Sequence, residues 1–209
     1  MTSINNFILV HIGKCGGSTV RKELEENQIN CLVLHTANVP FYKSPEIKYI
    51  IVIRNPVERF ISAYFWRYYL VCVKKEQATR FIGEKEFLEK HNTIELLIDK
   101  IKNEPTVFDT NYVHHIHENI HFYLENFIDI CPNDKIIGVM LQETLDNDMD
   151  RMFNIKVKSR QNNNSENKQQ INYETRSIIK SHLKKDYLMI EKMFKKGWIT
   201  KNQYDILNV

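Results

Sequence analysis

Two short stretches of the chain gather residue types that bind anions. The first is His11-Ile12-Gly13-Lys14-Cys15-Gly16-Gly17-Ser18-Thr19, which follows an apolar run. Small residues let backbone N–H groups approach an anion closely. A helix opening at Ser18 or Thr19 adds unpaired N–H groups and a positive dipole end, Lys14 adds a full charge, and the two hydroxyls add donors. This is a phosphate-type cradle. It is not the G-x-x-x-x-G-K-[ST] loop, whose lysine comes after the glycines; here Lys14 precedes Gly16 and Gly17. The plainer reading is a glycine-rich turn between a strand and a helix.

The second stretch is Ile51-Val52-Ile53-Arg54-Asn55-Pro56-Val57-Glu58-Arg59-Phe60-Ile61-Ser62-Ala63-Tyr64. Arg54 falls at the carboxyl end of a strand, where α/β folds bind ligands. Its planar fork suits a phosphate. Ser62, nearly two helical turns past Pro56, can supply a hydroxyl, and Arg59 near the helix start a second positive charge. Standing alone, Arg54 would be a strand-end surface charge and Ser62 a small packing residue.

The elements that would position these residues are legible from period and punctuation. Phe7–His11 and Tyr49–Ile53 are short, continuous apolar runs, as strands buried on both faces are. Asn30–Leu34 reads as a second strand and residues 135–141 as another. An amphipathic helix is expected from Ser18 or Thr19 to about Asn27. Pro56 suits the first turn of a helix running to about Lys75. In that helix Phe60, Ile61 and Tyr64 recur at packing spacing, so its aromatics are expected in a core. Further helices are expected over 84–103, 110–127, 143–152 and 173–195, with Thr200 capping a short final one. Residues 36–46 hold Pro40 and Pro45 and read as a loop. Residues 156–170 pass from the basic Lys156-Val157-Lys158-Ser159-Arg160 into Asn, Gln and Ser, a mobile or binding loop. No internal repeat is present. Strands alternating with helices predict a single α/β domain over 1–209, a three-layer sandwich around a central, mainly parallel sheet.

Composition sets outer bounds. The 209 residues include 43% hydrophobic and 26% charged, which is globular and excludes a wholly disordered chain. Net charge is only +3, so nucleic acid is not the expected partner and any anion site must be local. Cys15, Cys31, Cys72 and Cys131 form no C-x-x-C pair and point to neither a zinc site nor a disulfide framework. The polar start and the lack of a long apolar run predict no signal peptide and no membrane span, hence a soluble cytoplasmic protein.

Together the two motifs resemble the sulfotransferases that use 3′-phosphoadenylyl sulfate (PAPS), in the style of the carbohydrate Golgi enzymes. HIGKCGGST is similar to that family's 5′-phosphosulfate loop, often HIPKCGGTS, with Gly13 standing where proline is common. IRNPVERFISAY resembles its 3′-phosphate motif. Ile137 to Leu145 is similar to its late strand with a following E-x-L, and Lys184-Lys185-Asp186-Tyr187 to its C-terminal helix. The resemblance implies a P-loop-like phosphosulfate-binding fold. It implies that Lys14, Cys15, Gly16, Gly17, Ser18 and Thr19 hold the 5′-phosphosulfate, and that Arg54 and Ser62 hold the 3′-phosphate. A later basic loop is often brought onto the nucleotide in that family; Lys158 or Arg160 would serve, though solvated surface charge explains them as well.

Sulfuryl transfer needs stabilisation of the charge on the leaving phosphate, a role for Lys14, and a base for the acceptor's proton. His35, after the second strand, suits the base in position and titration range. Glu23, Glu25 and Glu26 are rivals, although helix-surface glutamates are usually just solvated. His114, His117 and His121 share a helical face by spacing, with Glu118 on it. Metal is not expected there, since the transfer requires none. The resemblance implies as acceptor a hydroxyl or amine of a small molecule or glycan, whose identity the sequence does not give. The alternatives are a P-loop nucleotide kinase and a non-catalytic nucleotide-binding module.

Overall fold

A computed structural model of the chain describes residues 7–35, 39–158 and 171–209. These fall into two compact units. The first holds the described residues of Met1–Asn55, Ile120–Gln161 and Lys185–Val209; the second holds those of Pro56–Asn119 and Asn162–Lys184.

The first unit is built on four parallel strands: β1 (Phe7–His11), β2 (Leu32–Leu34), β3 (Lys48–Ile53) and β4 (Ile136–Leu141), in the order β2-β1-β3-β4. β1 and β3 are central, and their continuous apolar runs are buried as expected of strands covered on both faces. Register is fixed by pairs such as Val10 with Leu34, His11 with Val52 and Ile53 with Leu141. Helix α1 (Gly17–Glu26) carries the chain from β1 to β2, and α6 (Ile120–Ile130) precedes β4. With α7 (Leu145–Phe153), α9 (Lys184–Lys195) and α10 (Lys201–Asn208) they pack around one apolar cluster. The α/β class and parallel sheet agree with the sequence reading and are consistent with three layers. No helix among the described residues is long and apolar enough to cross a membrane.

An edge strand exposes polar backbone that must be satisfied. On β4, the buried Gln203 side chain donates from Nε2 to Val139 O at 2.9 Å, and Asp148 Oδ2 accepts from Leu141 N at 2.9 Å. Thr200 caps α10 in a reciprocal capping box with Gln203, so the same glutamine orders the helix and the strand.

The second unit is helical: α2 (Pro56–Tyr68), extended by a wider π-type turn at Tyr69–Val73, then α3 (Glu84–Lys90), α4 (Ile94–Asn103), α5 (Val107–Thr110) and α8 (Tyr173–His182). Phe60, Ile61 and Tyr64 are buried, as their spacing predicts. At its centre Arg67 forks onto Glu84, Nε to Oε1 at 2.9 Å and Nη2 to Oε2 at 2.6 Å, with both side chains about 1% exposed.

Three expected long helices are broken. Residues 84–103 form α3 and α4, because Thr93 caps a new start by accepting from Leu96 N. Residues 110–127 hold the irregular segment 111–119 between α5 and α6. Residues 173–195 break at Leu183, and in the first turn of α9 the buried Asp186 accepts the backbone N–H of His121 at 2.9 Å, satisfying the N-terminus of α6. At 143–152 the first residues form a tight turn, Gln142–Thr144, before α7.

Removing one partner of a buried ion pair strands the other charge. Arg67→Met is expected to cost about 3–5 kcal/mol in urea unfolding, and adding Glu84→Leu to restore part of it. Equal stability of Arg67→Met and wild type would remove the pair from the folding argument.

Candidate anion-binding site

All four strands deliver their carboxyl ends to one edge of the first unit. From β2 comes His35, from β1 the turn 12–16, from β3 Arg54 and Asn55, and from β4 Gln142 and Glu143. The strand order reverses between β1 and β3, because the chain steps from β1 outward to β2 and then returns to the other side of β1. Parallel sheets bind ligands at such a switch point. The glycine-rich turn and Arg54 flank it.

The turn is shaped by two left-handed residues, Lys14 at φ 68° and Gly16 at φ 87°. Cys15 N closes it onto Ile12 O at 3.3 Å, and Gly16 O accepts from Thr19 N and Val20 N, starting α1. Gly16, at the N-cap of α1, has no side chain to accept from the first N–H groups of the helix. Glycine is required twice. A Cβ on Gly16 would stand 3.0 Å from Gln142 Cγ in a left-handed conformation. A Cβ on Gly17 would stand 2.1 Å from His11 Cδ2, inside the ring's van der Waals surface.

The environment of each predicted ligand differs. Lys14 is half-buried, Ser18 exposed and Thr19 buried. The Cys15 side chain lies in the core, and its backbone N–H is the one that closes the turn onto Ile12 O. Arg54 is 8% exposed, with Nε 3.9 Å from Glu143 Oε1. The same Glu143 oxygen accepts from Asn55 N at 2.9 Å, so one carboxylate fixes both residues after β3. The Asn55 amide donates to Leu207 O at 3.1 Å and to other last-turn carbonyls of α10, tying the C-terminal helix to the strand end. Ser62 belongs to the second unit, half-buried on α2. Arg160 lies outside the described residues.

His35 is exposed, and its Nδ1 lies 2.5 Å from His11 O. A carbonyl can only accept, so Nδ1 carries the hydrogen and Nε2 is the basic nitrogen of the neutral ring. Its ring sits 4.6 Å from that of His11 and 5.9 Å from that of Tyr123. Burial, then the neighbouring His35 and Arg21, push the pKa of His11 down to about 4, so this ring is neutral at pH 7.

The rival glutamates are engaged in structure. Glu23 is fully buried rather than solvated, and its Oε1 accepts from Lys158 N at 3.0 Å, holding the strand of chain that leads away from α7 against α1. Glu25 pairs with Arg21 and Glu26 with Lys22 on the exposed face. Arg59 is buried in the second unit, where it donates to Glu118 O. The histidines at 114, 117 and 121 do not share a helical face, because residues 111–119 are not helical. Instead His114, His115 and Glu118 converge. Burial opposes ionisation of Glu118, but hydrogen bonds from His114 and Tyr112 and the charges of His114 and His115 outweigh it and hold its pKa at about 2.

Sequence reasoning missed His11, Glu143 and Asn55 as supporting residues. The signal for His11 was present, since a histidine ending β1 beside Gly17 belongs to the same motif. The chain matches no protein-family model, no curated protein and no solved structure.

Two outcomes follow. Gly17→Ala should displace the His11 ring and cost about 1–3 kcal/mol, read by chemical unfolding. As pH falls, the unfolded chain protonates His11 near 6.5, the folded protein only near 4. Stability is therefore full above about pH 6.5 and declines towards 4, by up to about 3 kcal/mol from this group. His11→Asn should flatten that part of the pH–stability profile; an unchanged slope would mean that other groups set it.

Proposed function

We propose that the chain is a PAPS-dependent sulfotransferase, with a P-loop-like phosphosulfate turn in a three-layer α/β domain. The observation that carries the reading is the meeting, at the β1/β3 switch point, of an uncapped helix N-terminus with Lys14 on one side and Arg54 on the other, beside a tautomer-fixed histidine. Each part matches the chemistry that the two motifs imply.

In this reading the 5′-phosphosulfate lies over the turn 14–19, accepting backbone N–H groups, with Ser18 and Thr19 nearby. Arg54, steadied by Glu143, holds the 3′-phosphate. The acceptor oxygen attacks sulfur as its proton passes to His35 Nε2. The new O–S bond forms while the S–O bond to the phosphate breaks, and the bisphosphate PAP leaves. Lys14 and the helix N-terminus stabilise the charge on the departing phosphate. Keeping His11 neutral avoids a second cation against His35, which would oppose proton uptake there. A kinase reading would want a carboxylate after a strand to hold magnesium; Glu143 has that position, but it is engaged with Asn55 N and Arg54.

Calorimetry with PAP, adenosine 5′-phosphosulfate and magnesium ATP tests the reading. PAP should bind. Arg54→Ala should weaken PAP by roughly 10- to 100-fold, the worth of a charge-assisted hydrogen bond, and leave adenosine 5′-phosphosulfate nearly unchanged. Stronger binding of magnesium ATP than of PAP would turn the assignment to a kinase. With an acceptor found by screening labelled PAPS against glycans, phenols, lipids and peptides, His35→Ala should cut turnover by roughly 10²- to 10⁴-fold at unchanged PAP affinity. PAP binding with no turnover on any acceptor would favour a binding module.

A further inference from the structure

Between α5 and α6 of the chain, Asn111-Tyr112-Val113-His114-His115-Ile116-His117-Glu118-Asn119 makes a turn instead of a helix. Val113 and Ile116 are buried and anchor it, and Val113 O accepts from both Ile116 N and His117 N. His115 sits in the left-handed region at φ 64°, which residues with a Cβ adopt only uncommonly. This backbone brings its ring onto that of His114, centroids 3.9 Å apart and nearly parallel.

His114 is 8% exposed. Its backbone N–H donates to Glu84 at 2.9 Å and its ring packs 4.8 Å from that of Phe81. Its Nε2 lies 3.1 Å from Glu118 Oε2, while its Nδ1 is buried with no hydrogen-bond partner among the described residues. The other Glu118 oxygen accepts from Tyr112 OH at 2.6 Å. One donor atom each from His114, His115 and Glu118 falls within a span of 4.8 Å.

We propose that His114, His115 and Glu118 bind one divalent transition-metal ion, zinc being the type. Three features find one explanation in such an ion. Two imidazoles stacked this closely can both turn a ring nitrogen to one cation. The left-handed turn that brings the second ring in is compensated by a coordinate bond. The carboxylate is oriented as outer-sphere partners orient metal ligands, with Tyr112 holding one oxygen and Oε2 directed at the imidazole. Two nitrogens and one oxygen suit zinc and its neighbours and disfavour calcium and magnesium. Three protein ligands leave a fourth position for water or another donor. The ion would cross-link the turn in the second unit, and the site stands independently of the sulfotransferase reading.

The test uses the full chain, freed of metal by dialysis against a chelator. Zinc titration by calorimetry should find one site per chain. His115→Ala and Glu118→Gln should each weaken it by about 10- to 100-fold or more, while His117→Ala, an exposed ring outside the cluster, should change it less than about twofold. Cobalt should give a visible d–d band that is lost in His115→Ala. In wild type, zinc but not magnesium should raise the melting temperature, a readout that needs no variant to fold. Absence of stoichiometric zinc binding at micromolar concentrations would overturn the proposal. So would zinc binding that His115→Ala and Glu118→Gln leave intact, since the ion would then sit on other histidines.

Discussion

At position 17 of this chain a side chain would displace the His11 ring, which occupies the space where a Cβ would stand. That one exclusion links the end of β1 to the start of α1. Between the two, the chain passes through left-handed conformations at Lys14 and Gly16 before it enters the helix. The turn so formed presents the helix N-terminus to the carboxyl edge of the sheet. The His11 carbonyl meanwhile fixes the His35 imidazole. The glycine-rich turn and the His35 ring thus share one support.

The remaining parts of the edge are held by side chains that serve backbone. Glu143 gathers Asn55 N and Arg54; Asn55 gathers the last carbonyls of α10; Gln203 and Asp148 satisfy polar groups of β4. Each interaction is worth only about 0.5–3 kcal/mol, depending on charge. Their joint effect is positional: residues after β3 and β4 are fixed relative to the turn after β1 within the first unit. Preorganisation of this kind is what lets donors stabilise developing charge without reorganising.

Charge is handled differently in the second unit. Arg67 and Glu84 neutralise one another out of water, and Arg59 is buried against a backbone carbonyl. Buried ion pairs contribute little net stability over apolar packing, but they fix geometry. Glu84 also receives the His114 N–H, so the Arg67 pair reaches into the turn that gathers His114, His115 and Glu118.

The sequence by itself determined the α/β class, the parallel central strands and the two stretches that fall at the carboxyl ends of β1 and β3. Continuous apolar runs identify strands buried on both faces, and the glycines, Lys14, Arg54 and Pro56 sit at strand ends where the chain must turn. These signals are local, so they survive without coordinates. The tertiary structure decided what depends on contacts far apart in the chain. It broke the helix expected over 173–195, where Asp186 meets His121 N, and it buried Glu23 against Lys158 N. It gave Glu143 its task beside Arg54, and it brought His114 and His115 together by a left-handed turn where helical spacing had pointed to His114 and His117. Period and propensity report which face of an element is apolar. They carry no information on which distant backbone group a polar side chain will satisfy, and in this protein those long-range hydrogen bonds place the site.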